Sequence, residues 1–181
     1  MGVSGRRSVT ALDPLPTIAS ASPARLAEIN DVIARSKAYW PWPEHYLAAA
    51  LPLMRISAEY LTENPCAVAV DSDGAVLAFG SLASVGERTY IDHLWVRPDR
   101  IGMGIGRGLC DWLFDCARNR DLDELWVLPD PPAEGFYLKL GFTDTGERVP
   151  SRVPGGPVFS ALRLSLGPGA SLEDGMRAAS P

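Results

Sequence analysis

The chain has 181 residues, of which 46% are apolar and 22% charged, so it is long enough for one domain with its own core and its composition excludes a wholly disordered chain. Its longest apolar run, residues 47–54, is far shorter than the roughly 18 residues of a membrane helix, so no membrane partner is expected. The formal net charge of −5 has the opposite sign to that of a general nucleic-acid binder, so no nucleic-acid partner is expected.

Cysteine and histidine usage argues against disulfides and against a metal centre. The three cysteines, Cys66, Cys110 and Cys116, are an odd number without CxxC spacing, which is typical of reduced thiols in a cytoplasmic protein. The two histidines, His45 and His93, lie far apart, so a zinc site would need scattered single ligands. We therefore expect no metal and a cytoplasmic location.

The two ends of the chain differ in character from its middle. Residues 1–16 and 167–181 are rich in small and polar residues and show no hydrophobic periodicity. This predicts a mobile N-terminal arm over 1–16, a single domain over 17–166 and a mobile C-terminal tail over 167–181.

Two helices are predicted at the start of the domain. The first begins at Ser22, because serine favours the N-cap and the following Pro23 suits the first helical position. An aromatic, proline-containing segment over 39–43 ends it, and a second helix is predicted from Pro43 to just before Pro52. The apolar face of the first helix follows helical spacing and carries Leu26, Ile29 and Ile33.

Strands are predicted next. Residues 67–70 and 75–82 form a hairpin across an Asp-Ser-Asp-Gly turn, and 88–96 is a further strand rich in β-branched and aromatic residues. This order of elements indicates an α/β domain with a mixed sheet. The second half of the chain then alternates a helix after a glycine-rich loop, a buried strand over 125–128, a helix over 133–140, and closing strands from Phe142 onward and over 159–164.

A loop with alternating glycines is the most informative stretch of the sequence. Gly102, Gly104 and Gly106 lie between a strand and a helix, where backbone N–H groups and the helix dipole favour a phosphate or diphosphate. The spacing is GxGxG, neither the GxGxxG of dinucleotide folds nor a Walker loop, which needs a lysine. The alternative is a tight strand-to-helix connection without a ligand. Positive charge nearby comes from Arg97, Arg100 and Arg107.

This loop resembles the acetyl-CoA loop V-x-P-x-x-R/Q-G-x-G-x-G/A of the GNAT superfamily of acyl-CoA-dependent N-acyltransferases. Val96, Pro98 and the three glycines match it, and Ile101 replaces the Arg or Gln. A second signature, aromatic-Tyr-x-x-x-Gly-Phe, matches residues 136–142. The resemblance spans about residues 20–165 and implies the GNAT fold, a mixed, mostly antiparallel sheet flanked by helices. It also implies acetyl-CoA as co-substrate, held by Leu94, Trp95, Val96, Ile101, Gly102, Met103, Gly104, Ile105, Gly106 and Arg107.

The resemblance further implies direct attack of an amine on the thioester. Tyr137 would protonate the departing thiolate, or its ring would merely pack against the coenzyme. The base would be Asp92, His93 or a water. Strand alternation predicts that Asp92 shares a face with Tyr90, Leu94 and Val96, with His93 on the other face. The strand is expected to splay, so that backbone N–H groups near residues 94–96 stabilise the oxyanion.

The acceptor site is expected between the first two helices, where Tyr39, Trp40, Trp42 and Tyr46 would bind substrate or, alternatively, staple the helices together. The resulting hypothesis is an N-acetyltransferase acting on a primary amine of a small molecule or peptide. The rival hypotheses are a non-catalytic CoA-binding sensor or partner module of the same fold, and a different nucleotide binder that uses the glycine loop. GNAT domains often form homodimers, although no motif in this chain requires one.

Overall fold

The computed structural model describes residues 15–167, and these form a seven-stranded sheet in the order β1-β2-β3-β4-β5-β7-β6. The predicted arm 1–16 and tail 167–181 therefore lie outside the described residues, except at positions 15, 16 and 167. The strands are β1 Thr17–Ser20, β2 Cys66–Val70, β3 Val76–Val85, β4 Arg88–Val96, β5 Glu124–Val127, β6 Thr143–Pro150 and β7 Val158–Ser165. The helices are α1 Leu26–Ala38, α2 Glu44–Met54, α3 Ala58–Glu63, α4 Ile105–Arg118 and α5 Glu134–Lys139.

Neighbouring strands pair antiparallel except for β4 and β5, which run parallel. The mixed, mostly antiparallel sheet flanked by helices is confirmed. Helix α1 packs on one face, where its Ile29 and Ile33 contact the cluster around Phe79. Helix α4 packs on the opposite face, where Ala67 and Ala69 leave room for it. The two faces follow directly from the alternation of side chains along β2.

The first two helices differ in detail from the predictions. A 3₁₀ turn over Pro23–Arg25 precedes α1, and Ser22 has the extended backbone of an N-cap without a side-chain hydrogen bond. Helix α2 runs through Pro52 to Met54, beyond the predicted end. A proline lacks only one hydrogen-bond donor, and here that loss falls in the last turn before Arg55 turns extended.

Two elements were not predicted. Helix α3 begins after Ser57, whose Oγ accepts a hydrogen bond from Tyr60 N at 3.2 Å. Strand β1 is a short edge strand whose pairing with β2 joins Thr17 to Val70 and Ser20 to Ala67. Its residues lack an alternating apolar pattern because most of them are exposed. No helix within residues 15–167 combines the length and hydrophobicity needed to cross a bilayer.

A β-bulge interrupts β4 at Asp92. Ser81 of β3 pairs with His93, and the next residue, Leu82, pairs with Ile91, which leaves Asp92 as the extra residue. A bulge resets side-chain alternation. Ile91 consequently packs in the same cluster as Leu94, and the prediction that Asp92 shares the face of Leu94 is wrong.

Candidate active site

A cavity of about 780 Å³ opens where β4 and β5 separate. The two parallel strands pair only at Tyr90 and Trp126. Beyond that point the ends of the strands form opposite walls of the cavity, residues 94–96 on one side and 127–130 on the other. The predicted splay of the strand is confirmed, and it leaves unpaired backbone groups of β4 facing an open channel.

The glycine loop forms one end of this cavity. Gly102 and Gly104 have φ of +85° and +82°, a left-handed backbone conformation that residues other than glycine adopt only with strain. Gly104 is the N-cap of α4, and its carbonyl accepts the first helical hydrogen bond from Gly108 N at 3.1 Å. The N–H groups that follow Gly104 have no intrahelical acceptor and are available to an anion.

The loop has the space and chemistry that a diphosphate requires. A Cβ added at Gly102 or Gly104 would meet no atom within 4 Å, so the backbone borders open space. Arg107 makes no hydrogen bond or ion pair with a described residue, and its side chain lines the cavity. Met103 is 55% exposed and does not line the cavity, unlike the other predicted loop residues. The cavity is lined there by Arg100, Ile101, Gly102, Gly104, Ile105, Gly106 and Arg107.

Asp92 lines the cavity, and a tyrosine hydroxyl donates a hydrogen bond to its carboxylate. Its Oδ2 accepts a hydrogen bond from Tyr60 Oη at 2.6 Å, and Tyr60 Oη also lies 2.8 Å from Ser81 Oγ. The carboxylate is 41% exposed, and its Oδ1 has no hydrogen-bond partner among the described residues. Burial, with the charge of Asp92, raises the pKa of Tyr60, so its hydroxyl remains a donor.

His93 lies beside Asp92 but does not line the cavity. Trp95 Nε1 donates a hydrogen bond to His93 Nδ1 at 2.9 Å, which places the ring proton on Nε2. Nε2 in turn lies 3.5 Å from Asp92 Oδ2. Burial lowers the pKa of His93, and the charge of Asp92 only partly opposes this. The imidazole is therefore neutral, with its lone pair already engaged inside the sheet.

Tyr137 enters the cavity from α5. Its ring is packed edge-on between Phe136 and Phe142, with centroids 5.1 Å and 5.6 Å away. Burial, reinforced by the neighbouring Cys110 and Asp130, raises its pKa well above the ordinary value. The phenol is consequently protonated and positioned on a rigid support, as a proton donor requires.

The predicted aromatic residues of the acceptor site divide into two groups. Trp40 and Tyr46 line the cavity. Tyr39, predicted to bind substrate, is 53% exposed, lies outside the cavity lining and packs edge-on against Trp40. Trp42 also lies outside the lining and packs behind Tyr46 at a centroid distance of 5.2 Å, as a staple between the helices. Helix packing directs these two side chains away from the cavity.

Sequence reasoning missed three groups that line the cavity. Lys37 pairs there with Asp130, and its position continues the apolar stripe of Ile29 and Ile33, which was a usable signal of burial. The other two are the loop between β6 and β7, with Ser151, Arg152 and Val153, and Phe159 on β7. Residues 15–167 contain no group of three or more side chains arranged to ligate a metal.

The sheet opens between two parallel strands, above a glycine loop at a helix N-terminus, as the resemblance to acyl-CoA-dependent N-acyltransferases implies. A model of the acetyltransferase (GNAT) family matches residues 28–142, more than half of the chain. The chain belongs to the GNAT acetyltransferase family.

Individual relatives agree with this assignment. Streptothricin acetyltransferase from Streptomyces lavendulae is 34% identical over 84 residues, which is 44% of this chain and 44% of that protein. The match thus spans less than half the length of this curated relative.

Solved structures share the fold. A GCN5-related N-acetyltransferase from Rhodopseudomonas palustris matches with a TM-score of 0.73 and 21% identity, over 85% of this chain and 98% of that one. The PaiA N-acetyltransferase from Thermoplasma acidophilum, solved with coenzyme A, matches with a TM-score of 0.68 and 15% identity, over 83% and 98%.

Proposed function

We propose that the protein transfers an acetyl group from acetyl-CoA to a primary amine of a small molecule or peptide, by direct attack of the amine. One observation carries this proposal: the free Asp92 carboxylate oxygen, the Tyr137 side chain and the glycine loop all line the same cavity. An anion cradle, a proton acceptor and a proton donor are the groups that acyl transfer to an amine requires. A homodimer and a cytoplasmic location stay predictions.

The cavity residues fit a long phosphorylated co-substrate. The N–H groups at the start of α4 and the Arg107 side chain would hold the diphosphate, and the unpaired backbone of Leu94–Val96 would hold the extended arm. When bound, acetyl-CoA supplies the activated acetyl thioester. Backbone N–H groups at the end of β4 would stabilise negative charge on its carbonyl oxygen.

Asp92 acts as the base in this proposal. The Tyr60 hydroxyl fixes Oδ2, so Oδ1 remains to attract the acceptor ammonium and take a proton from it, directly or through a water. The Nδ1 lone pair of His93 accepts the hydrogen bond from the Trp95 indole, so His93 acts as a positioning residue beside Asp92. This favours Asp92 over His93 among the bases considered.

Tyr137 acts as the acid. Its O–H returns a proton to the sulfur as the thioester bond breaks, and the aromatic packing around it fixes the direction of donation. Because burial raises its pKa, the phenol keeps its proton at neutral pH and is available as the donor.

Thiol release from acetyl-CoA with a panel of primary amines tests the proposal. Wild-type protein should release thiol in proportion to acetylated amine, and Asp92→Asn should reduce kcat/KM by about 10²–10⁴-fold. Asp73→Asn, on an exposed turn, is the matched control. Stabilisation by acetyl-CoA without thiol release from any amine would instead support the non-catalytic binding module.

A further inference from the structure

The loop between β6 and β7 is firmly attached to α2 at the acceptor side of the cavity. Its Val153 is buried against Tyr46 and Ala50. Two backbone hydrogen bonds close the loop on itself, from Ser151 N to Pro157 O at 2.9 Å and from Gly156 N to Val153 O at 3.0 Å. A loop anchored in this way holds its other side chains in defined positions.

Gly156 brings two hydroxyl-bearing side chains together. A Cβ at this position would lie 2.5 Å from Ser151 Oγ and 2.7 Å from Tyr46 Cε2. The Ser151 hydroxyl and the edge of the Tyr46 ring are therefore neighbours, and both residues line the cavity.

These groups, with Arg152, offer hydrogen-bond donors without partners. The Ser151 Oγ accepts from Val153 N at 3.1 Å, so its own hydrogen remains free to donate. The Tyr46 hydroxyl makes no hydrogen bond within residues 15–167, and Arg152 makes neither a hydrogen bond nor an ion pair there, although all three residues line the cavity. Asp130, a carboxylate that also lines the cavity, is paired with Lys37, whose ammonium lies 5.2 Å from the centroid of the Tyr46 ring.

We propose that Arg152, Ser151 and Tyr46 form a subsite for a carboxylate on the acceptor, so that the acceptor is a small amine that also carries a carboxylate, such as an amino acid. A guanidinium matches the two oxygens of a carboxylate, and the hydroxyls satisfy its remaining lone pairs. Asp92 attracts the ammonium end, so the cavity presents opposite charges to a zwitterion. This inference rests on the proposed acetyltransferase function.

Matched acceptors test the subsite: phenylalanine, phenylalaninamide and phenethylamine, and leucine, leucinamide and 3-methylbutylamine. The three members of each set keep the amine and the apolar body, and only the first carries the carboxylate. Wild-type kcat/KM should be about 10- to 100-fold higher for the acid than for its amide. The amide has the less basic and more readily deprotonated amine, so a preference for the acid cannot come from amine reactivity.

Substitutions at Arg152 test whether the loop between β6 and β7 causes the preference for the acids. Arg152→Ala should lower kcat/KM for the acids by about 10- to 100-fold, mainly through KM, and abolish the preference; Arg152→Lys should retain part of it. Arg120→Ala, which removes an exposed arginine outside the cavity, is the charge-matched control and should behave as wild type.

The outcomes separate the two proposals. Thiol release from all six amines without preference for the acids would overturn the carboxylate subsite and leave the acetyltransferase function standing. If no amine releases thiol, the proposed function fails, and calorimetry of phenylalanine on the protein with bound CoA then decides the subsite. Binding to wild type that Arg152→Ala abolishes would support it, and no binding to wild type would overturn it.

Discussion

Lys37 Nζ lies 2.6 Å from Asp130 Oδ1 and 2.7 Å from Asp130 Oδ2, and this ion pair joins α1 to the loop between β5 and α5 across the cavity. Lys37 is 2% exposed, and its ammonium also lies 4.4 Å from the centroid of the Trp42 ring. The pair therefore connects two walls of the cavity, and the low exposure of both side chains means that water screens it little.

Removing one partner of this pair should be costly. Lys37→Met leaves the Asp130 carboxylate, whose side chain is only 11% exposed, without a counter-charge, and we expect the free energy of unfolding to fall by about 3–5 kcal/mol. Urea denaturation measures the loss. Lys37→Met combined with Asp130→Asn removes both charges and should recover part of the stability; strictly additive losses would show that the two groups do not interact. Arg35→Met, at an exposed ion pair, should cost under about 1 kcal/mol.

Gly104→Val should abolish acetyl-CoA binding in a protein that remains folded. Valine at a φ of +82° strains the loop, by about 1–2 kcal/mol, and displaces the N–H groups at the start of α4. The measurement is the rise in Tm with acetyl-CoA, which for wild type corresponds to about 2.7 kcal/mol at 100 times the Kd.

Gly146→Val is a matched control for this substitution. Gly146 has the same φ of +82° and, like Gly104, no atom within 4 Å of an added Cβ, but it lies on β6 away from the cavity. It should suffer the same strain and keep its response to acetyl-CoA. Equal responses in the two variants would show that the glycine loop is only a turn.

Tyr137→Phe should lower kcat by about 10²–10⁴-fold and leave coenzyme affinity nearly unchanged, because the ring stays and only the O–H is lost. Because burial raises the pKa of Tyr137 well above 10.0, ionisation of this phenol should not reduce wild-type activity below pH 10. Steady-state kinetics and a thermal shift with CoA check both statements. Tyr39→Phe, at an exposed tyrosine, serves as control, and a Tyr137→Phe enzyme with wild-type kcat would remove this residue from the mechanism.

His93 should make the protein less stable as the pH falls from about 7 to 5. Burial lowers the pKa of His93 below 6.5, so below that pH the unfolded chain binds a proton that the folded protein excludes. The contribution of the neutral His93 to the free energy of unfolding is therefore fully present only above pH 6.5. The free energy of unfolding should decline by up to about 1.4 kcal/mol per pH unit in this window. Urea denaturation at pH 7, 6 and 5 measures it, and His93→Gln should flatten the slope. An unchanged slope in that variant would assign the effect to other groups.

The sequence by itself determined one central strand and the glycine loop, because both depend on the backbone preferences of neighbouring residues. The strand over Arg88–Val96 occupies the predicted range because β-branched and aromatic side chains favour extended backbone. The glycine loop was recognisable because only glycine adopts the left-handed angles at 102 and 104 without strain. These stretches sufficed to predict the family and the glycine loop that lines one end of the cavity.

Tertiary structure alone decided the rest of the cavity lining. The bulge at Asp92 depends on how β4 pairs with β3, and alternation within one strand cannot reveal an extra residue. The Lys37–Asp130 pair and the placement of Arg152 join segments far apart in sequence, so no local pattern encodes their contact. Four aromatic residues lie close together in the sequence, Tyr39, Trp40, Trp42 and Tyr46, and nothing in the sequence distinguishes those that face the cavity. Only the packing of α1 against α2 determines which of these aromatic rings reach the cavity.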